Sequence, residues 1–134
     1  MKFANVAQPS HVLLRVVAGL LMLQHGGQKL FGWFGGSAGL PGEAVPLWSL
    51  MGFAGALELL GGSAVLLGAF TRPMAFLLSG EMAVAYFMAH QRTAPWPIQN
   101  HGELAVLFSF VFLFLATHGA GGWSVDGQRQ RQRA

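Results

Sequence analysis

The sequence predicts an all-α integral membrane protein, a bundle of four transmembrane helices with both termini in the cytoplasm. Three observations predict it. Of 134 residues, 53% are hydrophobic and 10% charged, where a soluble domain carries roughly 25% charged residues. Four long apolar stretches alternate with segments rich in Gly, Pro and charge. Nineteen glycines suit helices that pack closely in a bilayer, where small residues line the interfaces. The length suits one domain, read as a four-helix domain over residues 1–120 and a polar, basic tail over 121–134.

The first stretch runs from Val12 to Phe34 (VLLRVVAGLLMLQHGGQKLFGWF), the second from Leu47 to Phe70, the third from Met74 to His90 and the fourth from Leu104 to His118. Crossing hydrocarbon takes roughly 20 helical residues, with a range of about 17–25. The third and fourth are therefore expected to extend into flanking polar residues. Strands are excluded by the length and continuity of the runs, and because open sheet edges cannot face lipid. The segment Gly35–Pro46 is a Gly- and Pro-rich linker, Thr71-Arg72-Pro73 a tight turn with Pro73 in the first turn of the next helix, and Gln91–His101 an interfacial loop around Trp96. The terminal QRQRQRA reads as a disordered tail resting on anionic head groups.

Basic residues near helix ends set orientation. Lys2, Arg15, Arg72, Arg129, Arg131 and Arg133 fall on the side of the termini, against Lys29 and Arg92 on the other. That asymmetry puts both termini in the cytoplasm. Arg15 interrupts the first apolar run and no small-residue cleavage site follows, so this run reads as a span and not as a cleaved signal. The pI near 10.2 does not signal nucleic acid, because only the tail arginines cluster. With no cysteine, the chain holds no disulfide, thiolate redox centre or iron–sulfur cluster of its own.

Charges inside apolar helices cost at least about 2.5–3.5 kcal/mol near a helix centre, so they should find partners. Arg15, Glu58 and Glu81 are expected to form a buried ion cluster, one guanidinium serving two carboxylates. It would lock three helices together, or serve proton transfer or a polar ligand. Toward the other side, Gln24, His25, Gln28 and Lys29 end the first run, His90 ends the third, and His101 and Glu103 open the fourth. Trp33, Trp48 and Trp96 lie at the same level. His25, Lys29, His90, His101, Glu103, Trp33 and Trp96 form a candidate pocket for a flat aromatic head group. The same aromatics also suit an interfacial belt.

No metal or haem site is expected, because no tight pair of ligands at helical spacing exists and His11 and His118 fall on the opposite side. Ala54, Glu58 and Gly61 give the second helix a narrow face, with Gly52 and Ala56 a small pair beside it.

Four segments resemble the DoxX family of small bacterial membrane proteins. They are LLRVVAGLLMLQHGGQKLFGWFGG at Leu13–Gly36, GALELLGGSAVLLGAFTRP at Gly55–Pro73, HGELAVLF at His101–Phe108 and GAGGWSVD at Gly119–Asp126. Where many relatives have a second glycine, this chain has His101. Arg15, His25, Lys29, Glu58 and Glu103 match the family pattern. The resemblance implies a multi-pass protein of the bacterial inner membrane. It also implies a link to redox systems, since the family takes its name from a subunit associated with quinone-linked sulfur oxidation. It supplies no catalytic set.

The function expected is a membrane subunit of a redox-linked complex, more a non-catalytic subunit than an enzyme alone. It would bind a quinone or similar aromatic lipophile and associate with an oxidoreductase partner. Two alternatives stay open: a structural or assembly subunit without its own ligand, and a small proton-coupled transporter acting as a homo-oligomer through Glu58 and Glu81.

Overall fold

The computed structural model describes residues 4–37 and 40–133. The chain folds as α1 (Ala4–Phe31), α2 (Leu50–Leu67), α3 (Thr71–Ala85, continued by a π-helical turn over Tyr86–His90), the short α4 (Pro97–Asn100), α5 (Glu103–His118) and α6 (Val125–Arg133). Between α1 and α2 lie a 3₁₀ turn at Trp33–Gly35 and a two-stranded antiparallel hairpin, β1 (Gly36–Ser37) with β2 (Leu40–Pro41), Gly36 opposite Pro41. Each apolar run contains one long helix, and α3 and α5 do take in the flanking Thr71, Arg72 and Glu103. α1 starts well before Val12, with Pro9 inside it.

The four long helices pack in two pairs, α1 along α2 and α3 along α5, joined where α2 meets α3. Glycine sets the first pairing. A Cβ on Gly19 would lie 2.5 Å from the Leu66 backbone nitrogen, one on Gly62 2.5 Å from that of Leu23, and one on Gly26 would overlap Leu59. Gly19 and Gly26, like Gly55 and Gly62, stand seven residues apart, so each pair lies on one helical face. The result is a backbone-to-backbone seam, the close packing that small residues permit in membrane helices. The sequence reading put the small-residue face of α2 at Ala54–Glu58–Gly61. The seam with α1 instead runs through Gly55 and Gly62, while Gly61 meets the side chain of Leu78 on α3.

The second pair is tied by reciprocal hydrogen bonds. The Ser79 hydroxyl donates to the Ser109 carbonyl at 2.8 Å, and the Ser109 hydroxyl donates back to the Ser79 carbonyl at 3.0 Å. The core consists of Ala18, Met22, Val65, Leu78, Phe112 and Leu115 with their neighbours. Outward faces are no less apolar. Phe53 and Leu60 on α2, Phe76 on α3 and Leu107 and Phe110 on α5 are all more than half exposed, a pattern foreign to a surface that meets water. Two helices are long and apolar enough to cross a membrane, Val6–Phe31 with mean hydropathy 1.5 and Leu50–Leu67 with 1.7; α5 is apolar but shorter.

The tail departs from the expectation of disorder. Residues Val125–Arg133 form α6, and it docks on the α2–α3 turn. Asp126 accepts hydrogen bonds from the backbone N–H of Phe70 (3.0 Å) and Thr71 (2.9 Å), satisfying orphan donors at the start of α3. The Asp126 N–H donates to the Gly68 carbonyl at 2.8 Å. Gln and Arg are good helix formers, so a strongly polar composition does not prevent helix here.

Candidate functional site

α1 and α2 run antiparallel, and their close approaches fix the register: Gly19 meets Leu66 and Gly26 meets Leu59, so facing residue numbers sum to 85. Glu58 then faces residue 27, twelve positions from Arg15. At 1.5 Å per residue that is about 18 Å along the axis. The expected Arg15–Glu58 pairing is therefore wrong. Lys29 sits half a turn from residue 27, and its ammonium donates to both Glu58 oxygens, at 2.7 and 2.9 Å. Gly55, one turn before Glu58, makes this possible, since a Cβ there would press the Lys29 Cβ at 2.9 Å. Glu58 is 3% exposed, so the pair is shielded from water and charge-assisted.

Glu81 joins the pair from α3. Gly61 packs against Leu78, a sum of 139 that also sets Glu58 level with Glu81. Glu81 lies within electrostatic range of both Glu58 and Lys29. Its two carboxylate oxygens are buried and have no hydrogen-bond partner among the described residues. His25, one turn before Lys29 on α1, is half-buried and feels the Lys29 charge. The structure thus gathers Lys29, Glu58 and Glu81, with His25 alongside. It keeps two members of the predicted ion cluster and exchanges Arg15 for Lys29.

Arg15 is buried, 2% exposed, but serves the opposite end of the molecule. One of its terminal nitrogens donates to the Trp123 carbonyl at 2.8 Å, and its guanidinium passes directly over Gly68, where no side chain would fit. It pins the chain leading into α6.

The rest of the predicted aromatic pocket does not converge. The His90 ring pairs with the Asn100 carbonyl at 3.1 Å and stacks near Tyr86. Trp33 packs on Phe31, with ring centroids 5.3 Å apart, and against Gly27. Trp48 and Trp96 are exposed, as are His101 and Glu103. Among the described residues no hydrogen bond or ring contact joins His101, Glu103 or Trp96 to Lys29. No group of three His, Asp or Glu suited to a metal ion occurs among the described residues. Sequence reading missed Asn100, whose buried side chain donates to the Ala94 carbonyl (2.9 Å) and accepts from the Gly102 N–H (2.8 Å). Its place between two prolines and a glycine was the available signal.

The DoxX family profile matches residues 10–91, which takes in most of α1, all of α2 and α3 and the whole Lys29–Glu58–Glu81 cluster. The chain belongs to the DoxX family. A relative described as an uncharacterized protein from Haemophilus influenzae is 37% identical over 121 residues, covering 86% of this chain and 87% of its own length. No solved structure matches the chain. DoxX membership makes this a protein of a membrane-associated family, in keeping with its outward apolar faces.

Proposed function

We propose that this DoxX protein is a four-span protein of the bacterial cytoplasmic membrane that holds a quinone-type head group at Lys29, Glu58 and Glu81. It serves as a non-catalytic subunit beside an oxidoreductase partner, and the C-terminal residues after 120 form a docked cytoplasmic appendage. The observation that carries the reading is Glu81. A carboxylate with both oxygens buried and unpartnered, among apolar helices, is too costly to keep without a compensating ligand or proton.

The residues present fit such a head group. Lys29 has three N–H donors, and two point at Glu58. The third is available to a carbonyl oxygen. Glu81 can accept from a ring hydroxyl, so the pair suits an oxidised or a reduced ring. The quinone would supply the redox chemistry; the chain supplies orientation and charge. Support for the span count comes from the four long helices and from arginines gathered where α6 meets the α2–α3 turn, the side expected to be cytoplasmic. Lys2, which adds to that asymmetry in the sequence, lies outside the described residues.

The test is equilibrium binding of a short-chain quinone to the full chain in lipid nanodiscs. Wild type should saturate. Glu81→Leu should weaken binding about tenfold, the scale of one charge-assisted hydrogen bond, with an unchanged melting temperature or a higher one. Non-saturable partitioning, equal in wild type and variant, overturns the reading. Mild extraction from the host should bring an oxidoreductase with the chain. Extraction of the chain with no oxidoreductase contradicts the subunit assignment.

A further inference from the structure

The other end of the molecule holds an open groove of about 810 Å³ between the start of α3, the end of α5 and α6. Its walls carry Arg72, Arg129, Arg131 and Arg133, and the one acid lining it among the described residues is Asp126. Asp126, whose two oxygens accept backbone hydrogen bonds from Phe70 and Thr71, offsets one of these four positive charges and leaves the groove net positive. Arg72 is held in place by the carbonyl end of α5, donating to Thr117 at 2.6 Å. A guanidinium has five N–H donors, so most of those on Arg72 are unspent. Arg129, which lines the groove, lies over the Phe70 ring, 5.4 Å from its centre. Glycines contribute to its lining: Gly119 and Gly121 take positive φ, +83° and +76°, and a Cβ on Gly119 would crowd the Arg72 guanidinium at 3.2 Å.

We propose that this groove binds a phosphate-bearing anion, either the head group of an anionic phospholipid or a free phosphate compound. Arginine forks match phosphate oxygens in geometry as well as charge. The surroundings suit a lipid in particular. One helical turn from Arg72, Phe76 points outward and is 65% exposed, and Phe70 at the rim is 61% exposed. An acyl chain lying on that apolar surface would leave its phosphate at the level of the arginines. The site lies at the far end from the quinone cluster and does not depend on it.

The experiment compares the full chain in nanodiscs of phosphatidylcholine alone and with phosphatidylglycerol, measuring retained lipid by native mass spectrometry. A parallel titration uses inorganic phosphate in phosphatidylcholine nanodiscs. Wild type should retain phosphatidylglycerol selectively. Replacing Arg129, Arg131 and Arg133 together by Gln should lower that selectivity about fivefold per arginine that reaches the phosphate, and Arg72→Gln should lower it too. Selective retention lost in both variants supports the lipid source. Saturable phosphate binding without lipid selectivity, again lost in both, supports the soluble source. Selectivity that survives Arg72→Gln but vanishes with the tail substitutions would mean diffuse adsorption of the tail and overturns the site, as would equal behaviour of all variants. The three tail arginines are exposed on α6, so their replacement leaves the helix core intact, and the melting temperature of each variant checks this.

Discussion

The ammonium of Lys29 lies 2.7 Å from one carboxylate oxygen of Glu58 and 2.9 Å from the other, joining the last turn of α1 to the middle of α2. Glu81 stands level with Glu58 and feels both it and Lys29, and one ammonium cannot neutralise two carboxylates. The buried site therefore holds one balanced pair and one further carboxyl group, which a proton or a ligand must satisfy.

Breaking the pair should be severe. Lys29→Met leaves Glu58 buried without its counter-charge, a loss of about 3–5 kcal/mol, read as a lower melting temperature in mild detergent. The double variant Lys29→Met with Glu58→Leu should recover most of it. Arg15→Leu and Glu58→Leu, whose side chains belong to different ends of the bundle, should act additively. Strong coupling between Arg15 and Glu58 would contradict the α1–α2 register.

Glycines on the α1–α2 seam should not tolerate even a methyl group. Gly19→Ala and Gly62→Ala each force the helices apart and should cost about 1–3 kcal/mol as overpacking. Gly80→Ala is the control, since a Cβ there meets nothing within 4 Å. It should be neutral or stabilise by about 0.5–1 kcal/mol through helix propensity. Equal effects at all three positions would contradict the seam.

Tail docking should depend on acid. Partial burial tends to raise the Asp126 carboxyl, but hydrogen bonds from Thr71 and Phe70 and the Arg129 charge outweigh it and hold it below the usual carboxylate range. A depressed folded value means the docked state gains stability above the unfolded pKa, about 3.9. That stability is lost as pH falls through the folded value. Limited proteolysis of the tail should therefore be slow at neutral pH and accelerate only in acid below about pH 4. Asp126→Asn should flatten this pH profile. A profile unchanged in Asp126→Asn would mean another group controls docking.

Topology is tested with single cysteines in the cysteine-free chain. Ser37→Cys and Thr93→Cys should react with an impermeant thiol reagent added to intact cells, and Gln132→Cys only after permeabilisation. Labelling of Gln132→Cys in intact cells would reverse the orientation.

The long helices were legible in the sequence because hydrophobic length sets them directly, and α2 and α5 start within a few residues of the predicted ends, whereas α1 begins eight residues before Val12. The partners of the charges were not legible. Arg15 and Lys29 carry the same sign on the same helix, and depth estimated from run boundaries misplaced the partner by about 18 Å, more than three helical turns. Register settles it, and register depends on where two backbones touch. The seven-residue spacing shared by Gly19 and Gly26 and by Gly55 and Gly62 was the signal that could have found it. The tail was misread because composition alone argues for solvation, whereas α6 is held by Arg15 and by Asp126 at the α2–α3 turn. The scattered aromatics were grouped by level when only His25 and Lys29 lie near the carboxylates.

The most direct measurement of the central claim is photo-crosslinking with a quinone bearing an azido group on its ring, followed by mapping of labelled peptides. The account predicts saturable labelling in two segments only, the end of α1 around His25 and Lys29 and the middle of α3 around Glu81. An excess of unlabelled quinone should suppress both, and Glu81→Leu should reduce them. Labelling confined to the Trp96 loop or the tail, or spread evenly along the outward apolar faces, would contradict it.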